Sequence, residues 1–303
     1  MKRKDLISLC DCSAEELWEF LETAKQLKIA HKSGQSSRPL AGRTLALIFQ
    51  KPSLRTRVSF ETGMTQLGGH AIYLAPTDIK LGQRETTEDI ALVLSGYVDG
   101  IMARVFEHQV VEDLARYATV PVINGLSDLE HPCQVLGDLL TIWELKRRIA
   151  GLKLAWIGDG NNVLHSWLSG ASKLGLNLSL ACPEGFEPEA EIIEYAKAQG
   201  TQIELSHDPT EAVRGADLLY TDVWASMGEE AIATQKRQAF QGFQVNDELL
   251  ALADPEARVL HCLPAHYGDE ITHEVAHGPQ SALWVQAENR LHAQKAIMAL
   301  LMG

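Results

Sequence analysis

From Thr44 onward the chain alternates short apolar runs with longer segments whose apolar residues recur every three to four positions. Thr44–Phe49, His70–Leu74, Gly100–Arg104 and Val120–Ile123 read as strands, with helical periodicity between them. The first of these is apolar almost throughout (Leu45-Ala46-Leu47-Ile48-Phe49), as a strand covered on both faces must be. A long helix over about Gln134–Ile149 leads to Gly151, where a second series starts. Its strands are expected at Leu152–Ile157, Asn177–Ala181, Gln202–Leu205, Leu218–Thr221 and Val259–His261. Ahead of the first strand, Ser13-Ala14-Glu15-Glu16 forms a capping box before a helix with Leu17, Phe20, Leu21, Ala24 and Leu27 on one face. The last helix, about Glu288–Leu301, carries the apolar stripe of one that packs back on the body. The pattern predicts an α/β protein of two doubly wound parallel-sheet domains, 1–148 and 149–287, with the helix about 288–303 returning to the first. Ligands in such sheets collect at the carboxyl ends of the strands, so an active site is expected in the cleft between the domains.

Composition narrows the class. The 303 residues suit two domains of roughly 150 each. A net charge of −13 excludes nucleic acid as a partner, because duplex binding needs a basic face that releases counterions. An anionic small molecule stays possible, since local arginines decide that. No apolar run reaches the roughly 18 residues of a membrane span. Met1-Lys2-Arg3-Lys4-Asp5 is basic, but a cap and an amphipathic helix follow it instead of a signal sequence. The expectation is a cytoplasmic protein, or a matrix protein whose presequence is missing. The five cysteines are scattered and form no disulfide framework. Nothing completes a metal ligand set around Cys10-Asp11-Cys12, so no metal is expected.

The chemistry concentrates just after the predicted strands. Gln50-Lys51-Pro52-Ser53-Leu54-Arg55-Thr56-Arg57 runs from a strand into a helix. Such a turn aims backbone N–H groups and the positive end of the helix dipole at one spot. Ser53 and Thr56 add hydroxyls, and Arg55 and Arg57 add guanidinium forks that pair with phosphate or carboxylate. The segment is an anion site, or else a capped helix flanked by surface arginines. Arg104 ends a strand, where it faces either a cleft or solvent. His131-Pro132-Cys133-Gln134 places His131 and Gln134 one turn apart at a helix start. Gly158-Asp159-Gly160-Asn161-Asn162 follows a strand and opens a helix, yet Val163 stands where a dinucleotide fingerprint needs its third glycine. Asp222 with Ser226-Met227-Gly228 offers a carboxylate, a hydroxyl and loop N–H groups. His261-Cys262-Leu263-Pro264-Ala265 ends the last strand, and Cys262 has no base partner at a readable position that would make it a nucleophile.

Taken in order, from Lys51 to Arg290, these clusters resemble the aspartate/ornithine carbamoyltransferase family, and its ornithine branch most closely. The resemblance implies transfer of the carbamoyl group of carbamoyl phosphate to the δ-amine of L-ornithine. The products are L-citrulline and phosphate, within arginine metabolism, with no covalent enzyme intermediate and no metal or organic cofactor. It assigns carbamoyl phosphate to the first domain, on Ser53, Leu54 (backbone), Arg55, Thr56, Arg104, His131, Gln134, Cys262, Leu263 and Arg290. It assigns ornithine to the second, on Asn162, Asp222, Ser226 and Met227, with Gly228 in a hinge. Arg104, His131 and Cys262 are the catalytic candidates: the first two polarise the carbonyl, and Cys262 lies beside the reacting amine. A homotrimer, or a multiple of trimers, is implied as well. The chain departs from the family at Leu54, where threonine is usual and a hydroxyl contact to phosphate is lost. It departs again at Lys80, where the ornithine branch often has glutamine. The rival acceptors are putrescine, aspartate and an acylated ornithine; Asp222 with the Ser-Met-Gly loop favours free ornithine over them.

Overall fold

The computed structural model describes residues 3–303 apart from 36, 80, 82, 83 and 226–231. Contacts divide the chain into two units, Met1–Leu140 with Glu288–Gly303, and Thr141–Ala287. The first division falls inside a helix, at Leu140.

In the first unit the order is α1 (Ala14–Lys32), β1 (Thr44–Phe49), α2 (Leu54–Gln66), β2 (His70–Leu74), α3 (Pro76–Ile79) and α4 (Thr87–Ser95). β3 (Gly100–Arg104), α5 (His108–Tyr117), β4 (Val122–Leu126) and α6 (Pro132–Lys146) follow. Both halves of the capping box are made at Ser13 and Glu16. The strands pair in parallel in the order β2-β1-β3-β4. The central strands β1 and β3 are buried almost end to end, which explains their unbroken apolar runs. The N-terminal segment lies along β4, with Leu6 N donating to Val122 O (2.9 Å) and Asn124 N to Leu6 O (2.8 Å).

Both ends of β4 and the start of the long helix differ from the sequence expectation, each for a local reason. β4 starts at Val122 and not at Val120, because Pro121 brings no N–H to the ladder. It also runs on through Asn124-Gly125, a pair that reads as a turn in sequence. A Cβ at Gly125 would meet the Met102 sulfur at 2.3 Å, so the glycine is there for close packing on β3. The long helix starts at Pro132, in the first turn where a missing N–H costs nothing.

The second unit continues with β5 (Lys153–Ile157), α7 (Asn162–Leu174), β6 (Asn177–Ala181), α8 (Ala190–Ala198), β7 (Ile203–Ser206) and α9 (Pro209–Val213). Then come β8 (Leu218–Thr221), α10 (Ala233–Ala239), α11 (Asp247–Leu250), β9 (Arg258–His261), α12 (His273–His277) and α13 (Leu283–Met302). The sheet order is β7-β6-β5-β8-β9, all parallel. α13 begins five residues before the expected Glu288, and its residues from Glu288 on belong to the first unit.

Each sheet reverses its winding once, between β1 and β3 in the first unit and between β5 and β8 in the second. Crevices form at such reversals, outside the carboxyl ends of the strands. The Ser53–Thr56 turn and Arg104 leave the first reversal; Asp159–Asn162 and Asp222 leave the second.

Candidate functional site

The first half-site is built on the β1–α2 turn. Gln50 N donates to Arg104 O (2.8 Å), and the Gln50 Oε1 accepts from Phe106 N (2.8 Å), so the turn is clamped to the end of β3. Lys51 is buried, with Nζ 4.6 Å from the Phe106 ring centre. Ser53 is the N-cap of α2: its Oγ accepts from Thr56 N (3.3 Å) and donates to Thr56 Oγ1 (3.1 Å). Thr56 Oγ1 also accepts from Arg290 Nη2 at 3.4 Å. The other fork of Arg290 donates to Gln134 Oε1, while Gln134 Nε2 donates to Asp138 Oδ1 (2.8 Å).

His131 sits where a tight turn meets α6. Ser127 N donates to Glu130 O (2.9 Å) and Glu130 N to Ser127 Oγ (3.1 Å), closing that turn. The Glu130 carboxylate is held by the Ser8 hydroxyl and by Leu9 N (3.5 Å). His131 is buried, and its pKa is held well below the ordinary histidine value, first by burial and then by the charges of Arg290, Arg104 and Arg55. Three guanidinium groups therefore act on one neutral imidazole, beside the N-terminus of a helix. An anion with a polarisable carbonyl matches that combination: the arginines take its charge, and a neutral ring supplies an N–H without adding a competing positive charge.

Arg57 does not join this group. It pairs with Glu61 (2.9 Å) and lies over Tyr73, 3.7 Å from the ring centre. Leu54 opens α2 with an exposed side chain. Cys133 is a packing residue: burial pushes its thiol up to about 12, and its Sγ donates to Asn124 O.

The second half-site is organised around Asp222. Its Oδ2 accepts from Asn161 Nδ2 (2.8 Å), and its Oδ1 accepts from Val223 N (2.8 Å) and from the Cys262 thiol (2.8 Å). Asn161 is the N-cap of α7, accepting from Val163 N and Leu164 N, and Asn162 is the first residue of that helix. Asp159 forms a buried ion pair with Lys236 (2.7 Å). Both glycines of the turn have backbone reasons. Gly158 has φ +138°, and a Cβ on Gly160 would lie 2.2 Å from Pro188 N. The sequence signal that resembled a dinucleotide loop is thus a turn pressed against residues 187 and 188.

At the end of β9, His261 is buried. Its Nδ1 accepts from Leu263 N (2.8 Å), which leaves Nε2 as the donor to Glu270 Oε1 (3.1 Å). That bond holds Leu263 at φ +59°, a left-handed conformation unusual for a branched residue. Asp222, His261 and Cys262 bring one ligand atom each within 4.8 Å of one another. Metal binding would need one ring nitrogen of His261 to give up its bond to Leu263 or Glu270, so the donor set does not favour an ion.

Ser226, Met227, Gly228 and Lys80 lie outside the described residues. Sequence reasoning missed Asn161, Asp138 and Glu270. Asp138 had a signal, four residues after Gln134 on one helix face. Asn161 had one as a cap residue. Glu270 had none, because its partner lies across a loop.

A doubly wound α/β chain with an arginine-lined anion site and a carboxylate-centred second site has the parts of a group-transfer enzyme. Residues 4–144 match the carbamoyl phosphate-binding domain of aspartate/ornithine carbamoyltransferase, and residues 150–301 match its Asp/Orn-binding domain. The chain belongs to the aspartate/ornithine carbamoyltransferase family. It is 56% identical to the anabolic ornithine carbamoyltransferase of Pyrococcus furiosus, over 99% of this chain and 96% of that protein. The solved structure of the Pyrococcus furiosus ornithine carbamoyltransferase superposes with a TM-score of 0.96 at 56% identity, covering 99% of this chain and 97% of the other. That of the Thermus thermophilus ornithine carbamoyltransferase gives 0.92 at 47% identity, with both chains fully covered. Among the described residues no helix is long and apolar enough to cross a membrane.

Proposed function

We propose that the chain catalyses carbamoyl transfer from carbamoyl phosphate to the δ-amine of L-ornithine, giving L-citrulline and phosphate. The observation that carries this reading is the set of Arg55, Arg104 and Arg290 around a neutral His131, with Thr56 bonded to Arg290. Ser53, the Leu54 N–H, Arg55 and Thr56 take the phosphate at the start of α2, and Arg290 adds a fork to it. Gln134, oriented by Asp138 and Arg290, receives the carbamoyl amine. Arg104, His131 and Thr56 stabilise the oxygen that becomes negative when the amine attacks.

In the attack, the lone pair of the neutral δ-amine forms the C–N bond and the carbonyl π pair moves to oxygen. As the carbonyl reforms, the bond from carbon to the phosphate oxygen breaks, and phosphate leaves with that electron pair. The proton shed by the amine goes to the departing phosphate or to the Cys262–Asp222 pair. Cys262 stays a thiol throughout, its S–H donated to Asp222. Leu263, whose N–H is tied to His261, offers its carbonyl to the amine. Asn162, Asp222, Ser226 and Met227 hold the amino-acid end of ornithine, which makes the encounter an oriented one.

The same reading carries a cytoplasmic role in arginine biosynthesis and assembly as a homotrimer or a multiple of it. Exposed apolar side chains support self-association: Ile72 on the edge strand β2, Val58 on α2, and Leu92, Val93 and Tyr97 in and just after α4.

The test is citrulline formation from carbamoyl phosphate with ornithine, putrescine, aspartate and N-acetylornithine offered in parallel. Turnover with ornithine alone is expected. Turnover with another amine instead would keep the phosphate half and overturn the acceptor assignment. Folded protein inactive with all four would overturn the reading.

A further inference from the structure

We infer that Asp159 and Lys236 are a positioning pair for the acceptor half-site, an inference that rests on the function proposed above. Lys236 Nζ lies 2.7 Å from Asp159 Oδ2, and both residues are buried. Two chain segments meet here. One is the turn after β5, which carries Asp159, Gly160, Asn161 and Asn162. The other is the chain that leaves β8 at Asp222 and reaches Lys236 on α10. These segments are joined twice, by Asn161 with Asp222 (2.8 Å) and by Asp159 with Lys236.

The turn between the two ties has little room to adjust. Asp159 O accepts from Trp156 Nε1 (3.0 Å), and Gly160 N donates to Phe186 O (2.8 Å). The close approach of Gly160 to Pro188 leaves no space for a side chain. The Lys236 ammonium also lies 5.7 Å from the Phe186 ring centre, on the same wall. A displacement at Asp159 is therefore passed along two peptide units to Asn161, and from its amide to the Asp222 carboxylate.

A buried ion pair is a poor device for stability alone, because desolvation offsets its attraction and a neutral pair of similar shape is often no less stable. Its directional value is the stronger account here: it fixes where the Asn161–Asp222 bond lies, and so where an ammonium and carboxylate are received.

The variants are Lys236→Met, Lys236→Arg and the neutral double variant Asp159→Asn/Lys236→Met, assayed beside the wild type with each substrate varied in turn. Lys236→Met is expected to raise KM for ornithine about tenfold or more, with KM for carbamoyl phosphate within about twofold. Lys236→Arg keeps the charge and is expected to recover most of that loss. The double variant is expected to melt close to wild type yet keep the raised ornithine KM, which separates positioning from stability. Hydrogen exchange at residues 158–163 and 222–224, read without any substrate, is expected to rise in Lys236→Met and in the double variant. An unchanged ornithine KM in folded Lys236→Met, an equal rise for both substrates, or recovery of KM in the double variant overturns the inference. If the wild type itself makes no citrulline, the proposed function fails. The exchange measurement then decides the pair alone, and unchanged exchange overturns it.

Discussion

Arg290 and Thr56 are 234 residues apart in the chain, and the Arg290 Nη2 lies 3.4 Å from the Thr56 Oγ1. Both belong to the first unit because α13 returns to it. The approach depends on Gly137, where a Cβ would sit 3.3 Å from the Arg290 Cα. With its other fork on Gln134, Arg290 links the start of α2 to the first turn of α6. Replacing Arg290 with alanine releases Thr56 and Gln134 together and, on the proposed assignment, removes a charged donor to phosphate. The expected loss of carbamoyl phosphate affinity is about 3 kcal/mol, roughly two orders of magnitude, with ornithine affinity little changed. Lysine at 290 keeps the charge without the fork and should recover only part of it. Equal losses toward both substrates, read from initial-rate kinetics, would contradict the assignment.

Much of this was legible in the sequence, and the exceptions have physical causes. The apolar runs of β1 and β3 and the cap at Ser53 are local signals, and the structure follows them. Arg57 misled because guanidinium spacing along a helix says nothing of direction; its two neighbours, Glu61 one turn on and Tyr73 on β2, drew it away. The bond of Asn161 to Asp222 is not legible in the sequence because it depends on the β5–β8 pairing, which is not local. The same holds for Asp159, whose partner Lys236 lies 77 positions away.

Acid should destabilise the fold in a defined window. His108, His131 and His292 all have lowered pKa values, each chiefly through burial; for His292 the value is about 4. Lys295 and Lys28 add to that lowering at His292, and Glu288 opposes it from 3.5 Å. Between about pH 4 and 6.5 the unfolded chain protonates His292 while the folded chain does not, so the unfolded state binds more protons. Stability therefore falls as pH drops from 6.5 toward 4 and is flat in this respect above 6.5. His292→Gln should flatten part of that slope, which denaturant midpoints at pH 5 and pH 7.5 will show. An unchanged slope would mean that the buried ring is not the titrating group.

Leu54 offers a gain-of-contact test. Its side chain is exposed at the first position of α2, so a change there meets little packing. Leu54→Thr places a hydroxyl beside the phosphate site without altering the backbone N–H. The expected effect is an unchanged melting temperature and a KM for carbamoyl phosphate lowered a few-fold, about 1 kcal/mol as for one added hydrogen bond. A raised KM would indicate that the apolar side chain itself shapes the site.

Cys262 decides between direct transfer and a carbamoylated enzyme. Its thiol lies 2.8 Å from an Asp222 oxygen, which accepts that hydrogen bond in the folded state. His261, the adjacent residue, is unable to serve as its base: Nδ1 is taken by Leu263 N and Nε2 by Glu270. A thiol whose hydrogen is held by a carboxylate is kept protonated and is a weak nucleophile. Direct attack by the amine then requires both substrates to be bound at once. Initial rates with both substrates varied should give intersecting reciprocal plots, and labelled phosphate should not exchange into carbamoyl phosphate when ornithine is absent. Cys262→Ala should lower kcat, by roughly one to three orders of magnitude, through the lost contact at the amine and a loosened Asp222. It should leave turnover measurable and KM for carbamoyl phosphate nearly unchanged. Parallel plots, phosphate exchange without ornithine, or complete inactivity of folded Cys262→Ala would instead make the sulfur the point of covalent attachment.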